Sequence, residues 1–577
     1  MAKFSEKYMN KNFPAHWLEE IVAEILERKV KDITLSTGKT PSGHIHIGIL
    51  REIIICDALR RIFEKKKFNV KNYLFLDDLD AAKRFPEYID KEFQKNHLGK
   101  PFALIPCPFK ECGCKSYAYH FGKELISTFE DFGIKIQPVW THELYKRKEM
   151  QEKIRIALEN TELIKNILKK YILPTLDDNR KKEFIEMQKN WTPVMAICEK
   201  CHKIQSKDND GSIKPNRIIK YDKKKQTVSY ECVACGNYKE ISIYEGDLKL
   251  NWRVDWPAKW ALFKTTCEPA GKDHCVKGGS YDTGLELCQK VFGYDGPVKV
   301  AYEWLRLGDR DMKTSKGIVF TPKKYLEIAD PELYRMLILR TNPLKHISLR
   351  IEELPQYYDY YERMENIYYN IEVPESEEER KFFQYMYPLT KVKIVPSEKP
   401  IKISLNLLTF LSQIQNILSI ENLYDKARSE TGKTNIEKDI SLENFKFLLE
   451  RTKNWVDEIK KIIEEEKDKT IKKNLLQKVS LFEIPEEIDK HLLKNFDDKQ
   501  KKGIILLRDF LLQNKSSDPD SIQNKIFTMA KEHLNIAPRK LFEAIYQIIL
   551  GKKYGPRLGS FLLLLDRDWL LERLNIE

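Results

Sequence analysis

Eight residues that are soft metal donors or can be fall into two groups. Cys198-x-x-Cys201 and Cys232-x-x-Cys235 are two short pairs with 30 residues between them. Each spacing lets both thiolates reach one tetrahedral ion, so a structural zinc closed by four sulfurs is expected. His202, beside Cys201, reads as a bystander. Cys107, Cys112, Cys114 and His120 offer a second set, with Pro108 and Gly113 suited to a turn around an ion; the alternative is four scattered residues in a surface loop. A different chemistry is suggested by Thr40-Pro41-Ser42-Gly43-His44-Ile45-His46-Ile47-Gly48. A glycine-containing turn lets backbone approach a phosphate, and the helix that follows presents free N–H groups and a positive dipole end. His46 at that helix start can donate to a triphosphate, or can simply pack. Far downstream, Asp311-Met312-Lys313-Thr314-Ser315-Lys316-Gly317 is a Lys/Ser loop able to fold over an α-phosphate and neutralise its developing charge.

The elements that must carry these residues read as a parallel α/β sheet. Ile33–Thr37 is β-rich, and Gly38–Gly43 is expected to end it as a turn. Ile49, Ile53, Cys56, Leu59 and Ile62/Phe63 then recur at helical spacing, and Tyr73–Leu76 is a second apolar strand ending in Asp77-Asp78-Leu79-Asp80. Ligands in such sheets bind beyond the carboxyl ends of the strands, where both the turn and the acidic cluster fall. From Cys107 to Tyr244 the rhythm breaks: a cysteine cluster, a lysine-rich helical stretch over Glu149–Asn190, then the two knuckles. It resumes near Leu250, with Val298–Tyr302 as a late strand. Beyond Glu352 the pattern is helical. Phe445, Leu448, Thr452, Val456, Ile459 and Ile463 form one stripe with Trp455 beside it. Leu541, Ile545, Ile548 and Ile549 form another, stopped by Gly551, and Phe561–Leu574 is expected to be the last helix.

The chain has 577 residues, of which 42% are hydrophobic, enough for several cores and inconsistent with global disorder. No apolar run reaches the roughly 20 residues that span a bilayer, and residues 1–14 carry no secretory signal, so a cytoplasmic protein with no membrane contact is expected. Eleven cysteines, several in knuckles, suit a reducing compartment and not a disulfide scaffold. The net charge of +13, from 100 Lys+Arg against 87 Asp+Glu, is compatible with a polyanionic partner and weak evidence for one.

The Thr40–Gly48 string resembles the HIGH signature of class I aminoacyl-tRNA synthetases, with His46-Ile47-Gly48 in place and Ile49 where the family's last His would be. Met312–Lys316 with Gly317 resembles the KMSKS loop; Asp311 stands at the family's first Lys and Thr314 at its catalytic Lys, which leaves the electrostatic work to Lys313 or Lys316. Leu250–Trp260 with Trp252, then Gly271-Lys272-Asp273-His274, then Gly278–Gly284 look like class I lysyl-tRNA synthetases. So do His16-Trp17, Arg51-Glu52, Tyr302-Glu303-Trp304 and Gly555–Gly559. The resemblance runs over nearly the whole chain. It implies lysine activation by ATP, with Mg2+ on the phosphates, and transfer to the lysine tRNA. It places Pro41, Ser42, Gly43, His46, Gly48, Asp273, Gly278, Gly279, Met312, Ser315 and Lys316 at ATP, with His46, Lys313 and Lys316 catalytic. Gly38, Thr40, Trp252, His274 and Tyr302 go to lysine, with Asp77 and Asp78 nearby. Trp252 and Tyr302 suit a lysine stem, since aromatic faces cover an alkyl chain and attract an ammonium.

The implied fold is a Rossmann-type catalytic domain (residues 1–106 and 246–351) with a zinc-bearing insertion (107–245) on the acceptor side. An all-helical anticodon-binding domain (352–577) follows it. A monomer is expected. Two rivals stay open: a class I synthetase for glutamate, to which Arg253 would contribute, and a catalytically inactive zinc-bearing tRNA-binding paralogue.

Overall fold

The computed structural model describes residues 16–207, 213–308, 310–311, 319–430, 440–479, 481–514 and 518–576. Its first unit is built on five parallel strands: β1 (Asp32–Lys39), β2 (Asn69–Leu76), β3 (Gln137–Trp140), β4 (Cys267–Gly271) and β5 (Val298–Tyr302). Their spatial order is β5-β4-β1-β2-β3. The chain leaves β1 in one direction to lay down β2 and β3, then returns to its other edge for β4 and β5. The gap between β1 and β4 is therefore a topological switch point, where ligands of such sheets bind. Five consecutive residues of β1, Ile33–Thr37, are buried, as expected of a strand covered on both faces.

β1 does not stop at Thr37. Gly38 and Lys39 remain in register with Phe75 and Leu76 of β2, so the turn begins only at Thr40. After it, a single 3-10 turn over Ile47–Ile49 leads into α2 (Leu50–Lys65), which follows α1 (Trp17–Glu27). The predicted stripe of α2 is buried, and so are Arg51, Glu52, Asp57 and Arg60. Asp57 is fully buried with Arg335, whose guanidinium donates to Asp57 at 2.8 Å, to the Phe132 carbonyl at 3.1 Å and to the Leu389 carbonyl at 2.7 Å. One buried cation thus satisfies acceptors from three distant segments, which is how an ion pair can persist without water.

The Glu149–Asn190 stretch is three helices, Lys148–Glu159, Thr161–Ile172 and Asp178–Lys189. The knuckles are carried by a three-stranded antiparallel sheet, Arg217–Asp222, Thr227–Glu231 and Tyr238–Ser242, and by short ribbons around it. β3 lies inside the 107–245 span yet belongs to the central sheet, so the insertion is not one uninterrupted piece. After it come α3 (Trp252–Phe263) and α4 (Ser280–Phe292).

The second unit comprises Glu327–Ala329, Ile351–Tyr360 and the described residues from Pro396 on; Tyr361–Val395 packs with the first unit, unlike the boundary expected at 352. From Pro396 onward its described elements are all helices. In Leu442–Glu465 the core positions are Phe445, Leu449, Thr452, Trp455, Val456, Ile459 and Ile463; Leu449 replaces the expected Leu448. Gly551 ends Pro538–Leu550 with φ 66°, as a left-handed cap should. The expected last helix is two, Leu558–Leu564 and Arg567–Arg573, because the Asp566 side chain accepts from the Trp569 amide and starts a new one.

Candidate active site and metal centres

A cavity of about 1290 Å³ opens at the carboxyl ends of β1, β2, β4 and β5. Of the residues expected at ATP, Ser42, His46 and Gly48 line it; of those expected at lysine, Gly38, Thr40, Trp252, His274 and Tyr302 all do. Pro41, Gly43, Asp273, Gly278 and Gly279 are outside that lining. Met312, Lys313, Thr314, Ser315 and Lys316 lie outside the described residues.

His46 sits where β1 has ended and α2 has not begun. Its backbone is extended, and the next amide, of Ile47, donates to the Phe320 carbonyl at 2.8 Å. Its Nδ1 is buried with no hydrogen-bond partner among the described residues. Burial, and then the neighbouring Lys39, lower its pKa to about 4, so the ring is neutral near pH 7 and acts as a donor or acceptor, not as a cation. Lys39 itself lines the cavity, and burial lowers its pKa. The turn is clamped from outside. Tyr117 donates to the Ser42 carbonyl at 3.0 Å, the His44 amide donates to the Tyr88 hydroxyl at 2.9 Å, and His44 Nδ1 lies 2.8 Å from Glu124.

The floor of the cavity is a set of ion pairs the sequence did not announce. Thr40 donates to Asp80 at 2.6 Å, and Asp80 is paired with Lys249 at 2.9 Å. Lys259 bridges Asp77 and Asp255, and Tyr145 donates to Asp255 at 2.6 Å. Both lysines are almost wholly buried. Asp78 is turned away, accepting from Thr141 and from the His142 amide at 2.8 Å each, so it holds β2 to β3 and does not face the cavity.

Among the described residues, two buried carboxylates beside the cavity, Glu268 and Glu52, have only neutral hydrogen-bond donors. Glu268 accepts from Ser36, from Trp256 at 2.6 Å and from Trp260 at 2.9 Å. Glu52 accepts from Thr37 and Tyr302. Burial raises the pKa of both, Glu52 to about 7, against the opposing pull of their donors. Trp256 and Trp260 are therefore tied to one acid as well as packed. Trp252 is 42% exposed at the rim, with its ring 6.2 Å from that of His274. His274 Nδ1 is 2.8 Å from the Ser280 hydroxyl. At Gly279 a Cβ would fall 2.6 Å from the His274 carbonyl, so only glycine permits this tight approach before α4.

Other motif residues hold the scaffold. His16 Nε2 and Trp17 Nε1 both lie 2.8 Å from the Leu339 carbonyl, and Arg51 donates to the carbonyls of Glu303, Pro343 and Lys345. Of Lys39, Asp80, Lys249, Lys259 and Glu268, sequence reasoning assigned none to the site. Only the Gly38–Gly43 turn, which contains Lys39, and the acidic cluster after β2, which contains Asp80, hinted at any of them.

The sulfurs of Cys198, Cys201, Cys232 and Cys235 lie within 4.8 Å of one another, with Cys198···Cys235 at 3.7 Å and Cys201···Cys232 at 3.5 Å. Zinc–sulfur bonds of about 2.3 Å in a tetrahedron require sulfurs about 3.8 Å apart, so the donors fit. Cys107, Cys112 and His120 also converge, with Cys107···Cys112 at 3.0 Å and His120 Nδ1···Cys112 at 3.3 Å. The Cys114 sulfur is outside this group; its amide donates to the Cys112 sulfur at 3.4 Å. Three soft donors suit zinc.

No helix among the described residues is long and apolar enough to cross a membrane. The family model for class I tRNA synthetases (K) matches residues 15–393. A lysine–tRNA ligase of Methanocaldococcus jannaschii is 35% identical, covering 97% of this chain and 99% of its own. One from Methanococcus maripaludis is 32% identical over the same shares. The solved glutamate tRNA ligase of Elizabethkingia meningosepticum is a remote likeness, 12% identical with a TM-score of 0.39, covering 94% of this chain and 98% of that one. With its switch-point cavity, its HIGH-like turn and a family match that spans about two thirds of its length, the chain belongs to the class I tRNA synthetases of the lysine type.

Proposed function

We propose that this chain is a lysine–tRNA ligase. It joins the carboxylate of L-lysine to the α-phosphate of ATP, releases pyrophosphate, and passes the lysyl group to the terminal ribose of the lysine tRNA. The observation that carries the substrate is the charge of the cavity. Asp77 and Asp80 already have lysine partners, whereas Glu52 and Glu268 are hydrogen-bonded by neutral donors alone. A cationic side chain lying between Trp252, Trp256 and Tyr302 adds positive charge beside Glu268, which lines the cavity, and beside Glu52, which accepts from Tyr302. An anionic glutamate would add to their repulsion.

A lysine carboxylate oxygen attacks the α-phosphorus while the bond to the pyrophosphate oxygen breaks. The neutral His46 donates to phosphate oxygen from beside the turn, and Lys39, with Lys313 or Lys316, supplies positive charge. Magnesium on the phosphates would supply further positive charge; Asp77 and Asp80 are already engaged by Lys259 and Lys249. The tRNA ribose hydroxyl, the 2′ one by class I habit, then attacks the lysyl carbonyl and AMP leaves. Cys198, Cys201, Cys232 and Cys235 would hold a zinc ion with no open position, so it would serve structure alone. The zinc-bearing insertion faces the acceptor end of the tRNA, and the helical unit binds the anticodon stem-loop.

ATP–pyrophosphate exchange across the standard amino acids tests this. Lysine alone should support exchange. Exchange with glutamate, or with no amino acid, overturns the proposal.

A further inference from the structure

The cluster of Cys107, Cys112 and His120 stands on one face of a helix whose neighbouring face holds the phosphate-side turn. The helix is Tyr117–Ile126, started by Ser116, whose hydroxyl accepts from the Tyr119 amide. Tyr117, Phe121 and Glu124 recur at i, i+4 and i+7, so they form one stripe, and His120 flanks it. That stripe grips the turn at successive points: Tyr117 on the Ser42 carbonyl at 3.0 Å, the Phe121 ring edge-on to His44 at 5.1 Å, and Glu124 on His44 at 2.8 Å. Tyr117 and Phe121 are fully buried, so the grip is part of a core and not a surface accident. Elsewhere the helix packs on Trp140, through the stacked Tyr119 ring, while on the His120 flank the exposed loop Cys107–Cys114 lies against it.

We propose that a zinc ion held by Cys107, Cys112 and His120 sets the position of the Pro41–Gly48 turn by bracing this helix. The cluster would then govern ATP binding without touching ATP. This rests on the turn being the ATP side of the site. The donor chemistry fits: two thiolates and one imidazole lie within 4.8 Å, and the Cys114 amide donates to the Cys112 sulfur, a common second-layer contact in zinc knuckles. The brace is short. His120 is one residue from Phe121 and three from Tyr117, so a displaced imidazole moves the grip directly.

Hydrogen exchange on the full chain reads the coupling without relying on catalysis. Cys112→Ser should bind one zinc fewer per chain than the parent. Amides of 117–126 and 41–48 should then exchange about tenfold faster, as for loss of a local tether. His120→Asn should do the same, and adding zinc back to chelator-treated parent should restore protection. In pyrophosphate exchange, the ATP KM should rise about tenfold and the lysine KM stay within about twofold. Tyr117→Phe should keep the full zinc content, raise the ATP KM, and add little to Cys112→Ser, because both act through one clamp. An unchanged zinc count in both cluster variants overturns the proposal. So does loss of one zinc with unaltered exchange over 41–48. If the exchange protection follows zinc but ATP binding is unchanged, the brace stands and the assignment of the turn to ATP fails, and with it the proposed control of ATP binding.

Discussion

Replacing Lys249 by Met is expected to weaken lysine binding and the fold together. Lys249 is 3% exposed, and its ammonium is 2.9 Å from an Asp80 oxygen whose side chain is 34% exposed. Removing one partner of a buried pair usually costs about 3–5 kcal/mol, because the remaining charge is stranded. Here the stranded charge is partly wet and keeps its bond from Thr40, and Met fills most of the lysine volume. The expected loss is therefore about 2 kcal/mol, below that range. Asp80 then relaxes toward solvent and Thr40 loses a fixed acceptor at 2.6 Å. One neutral-to-charged hydrogen bond is worth about 1.5 kcal/mol, which corresponds to roughly a tenfold rise in lysine KM. Urea unfolding and pyrophosphate exchange on the same preparation measure the two effects. Lys249→Arg should recover most of the KM. Refutation would be a Met variant that loses stability yet binds lysine normally, for then Asp80 and Thr40 are not coupled.

Lys316→Ala should depress the rate of lysyl-adenylate formation while leaving lysine KM nearly unchanged, since its contact forms mainly in the transition state; unchanged turnover removes it from the catalytic set. His16 and His46 both have pKa values lowered to about 4 by burial, so the unfolded chain binds more protons than the folded one between pH 6.5 and 4. Their stabilising effect is complete above pH 6.5 and is lost as the pH falls toward 4; thermal melts of His16→Asn, which keeps a helix-capping oxygen, should flatten that slope, and a slope equal to the parent's refutes the assignment. Truncation after Val395, not at 352, should leave a folded unit that activates lysine but no longer prefers the lysine tRNA over an anticodon-swapped one. Retained selectivity in that fragment refutes the role of the helical unit.

What could be read from the sequence was local. The strand–turn–helix around Thr40–Gly48 declares itself within about twenty residues, and each Cys-x-x-Cys pair within four. Gly551 as a helix stop needed only its neighbours. The pairs Asp80–Lys249 and Asp77–Lys259 join residues about 170–180 apart and have no period or spacing to betray them. Nothing in the sequence singles out Glu268, and the indole N–H groups of Trp256 and Trp260 converge on it only in the folded chain. The last helix was misread although its signal was present: Asp566, three residues before Trp569, is a capping residue in the middle of an apolar run. Apolar periodicity outweighed it, and the backbone hydrogen bond decided otherwise.

The knot at Arg335 has a consequence for how the protein is made. Chains emerge from the ribosome N-terminus first, at about 5–20 residues per second. β1 and α2 appear early, but Asp57 in the middle of α2 must wait for Arg335, and Arg335 for the Leu389 carbonyl. Between Asp57 and Leu389 lie 331 residues, so at those rates the wait is about 17–66 s. For that interval a carboxylate destined for complete burial has its neighbouring Arg60 and Arg61 as partners, and the sheet lacks its central neighbour β4 for most of it. Vectorial synthesis therefore holds the first unit open until its end is translated. The nascent chain, more than the finished enzyme, is the state in which this protein needs protection from aggregation.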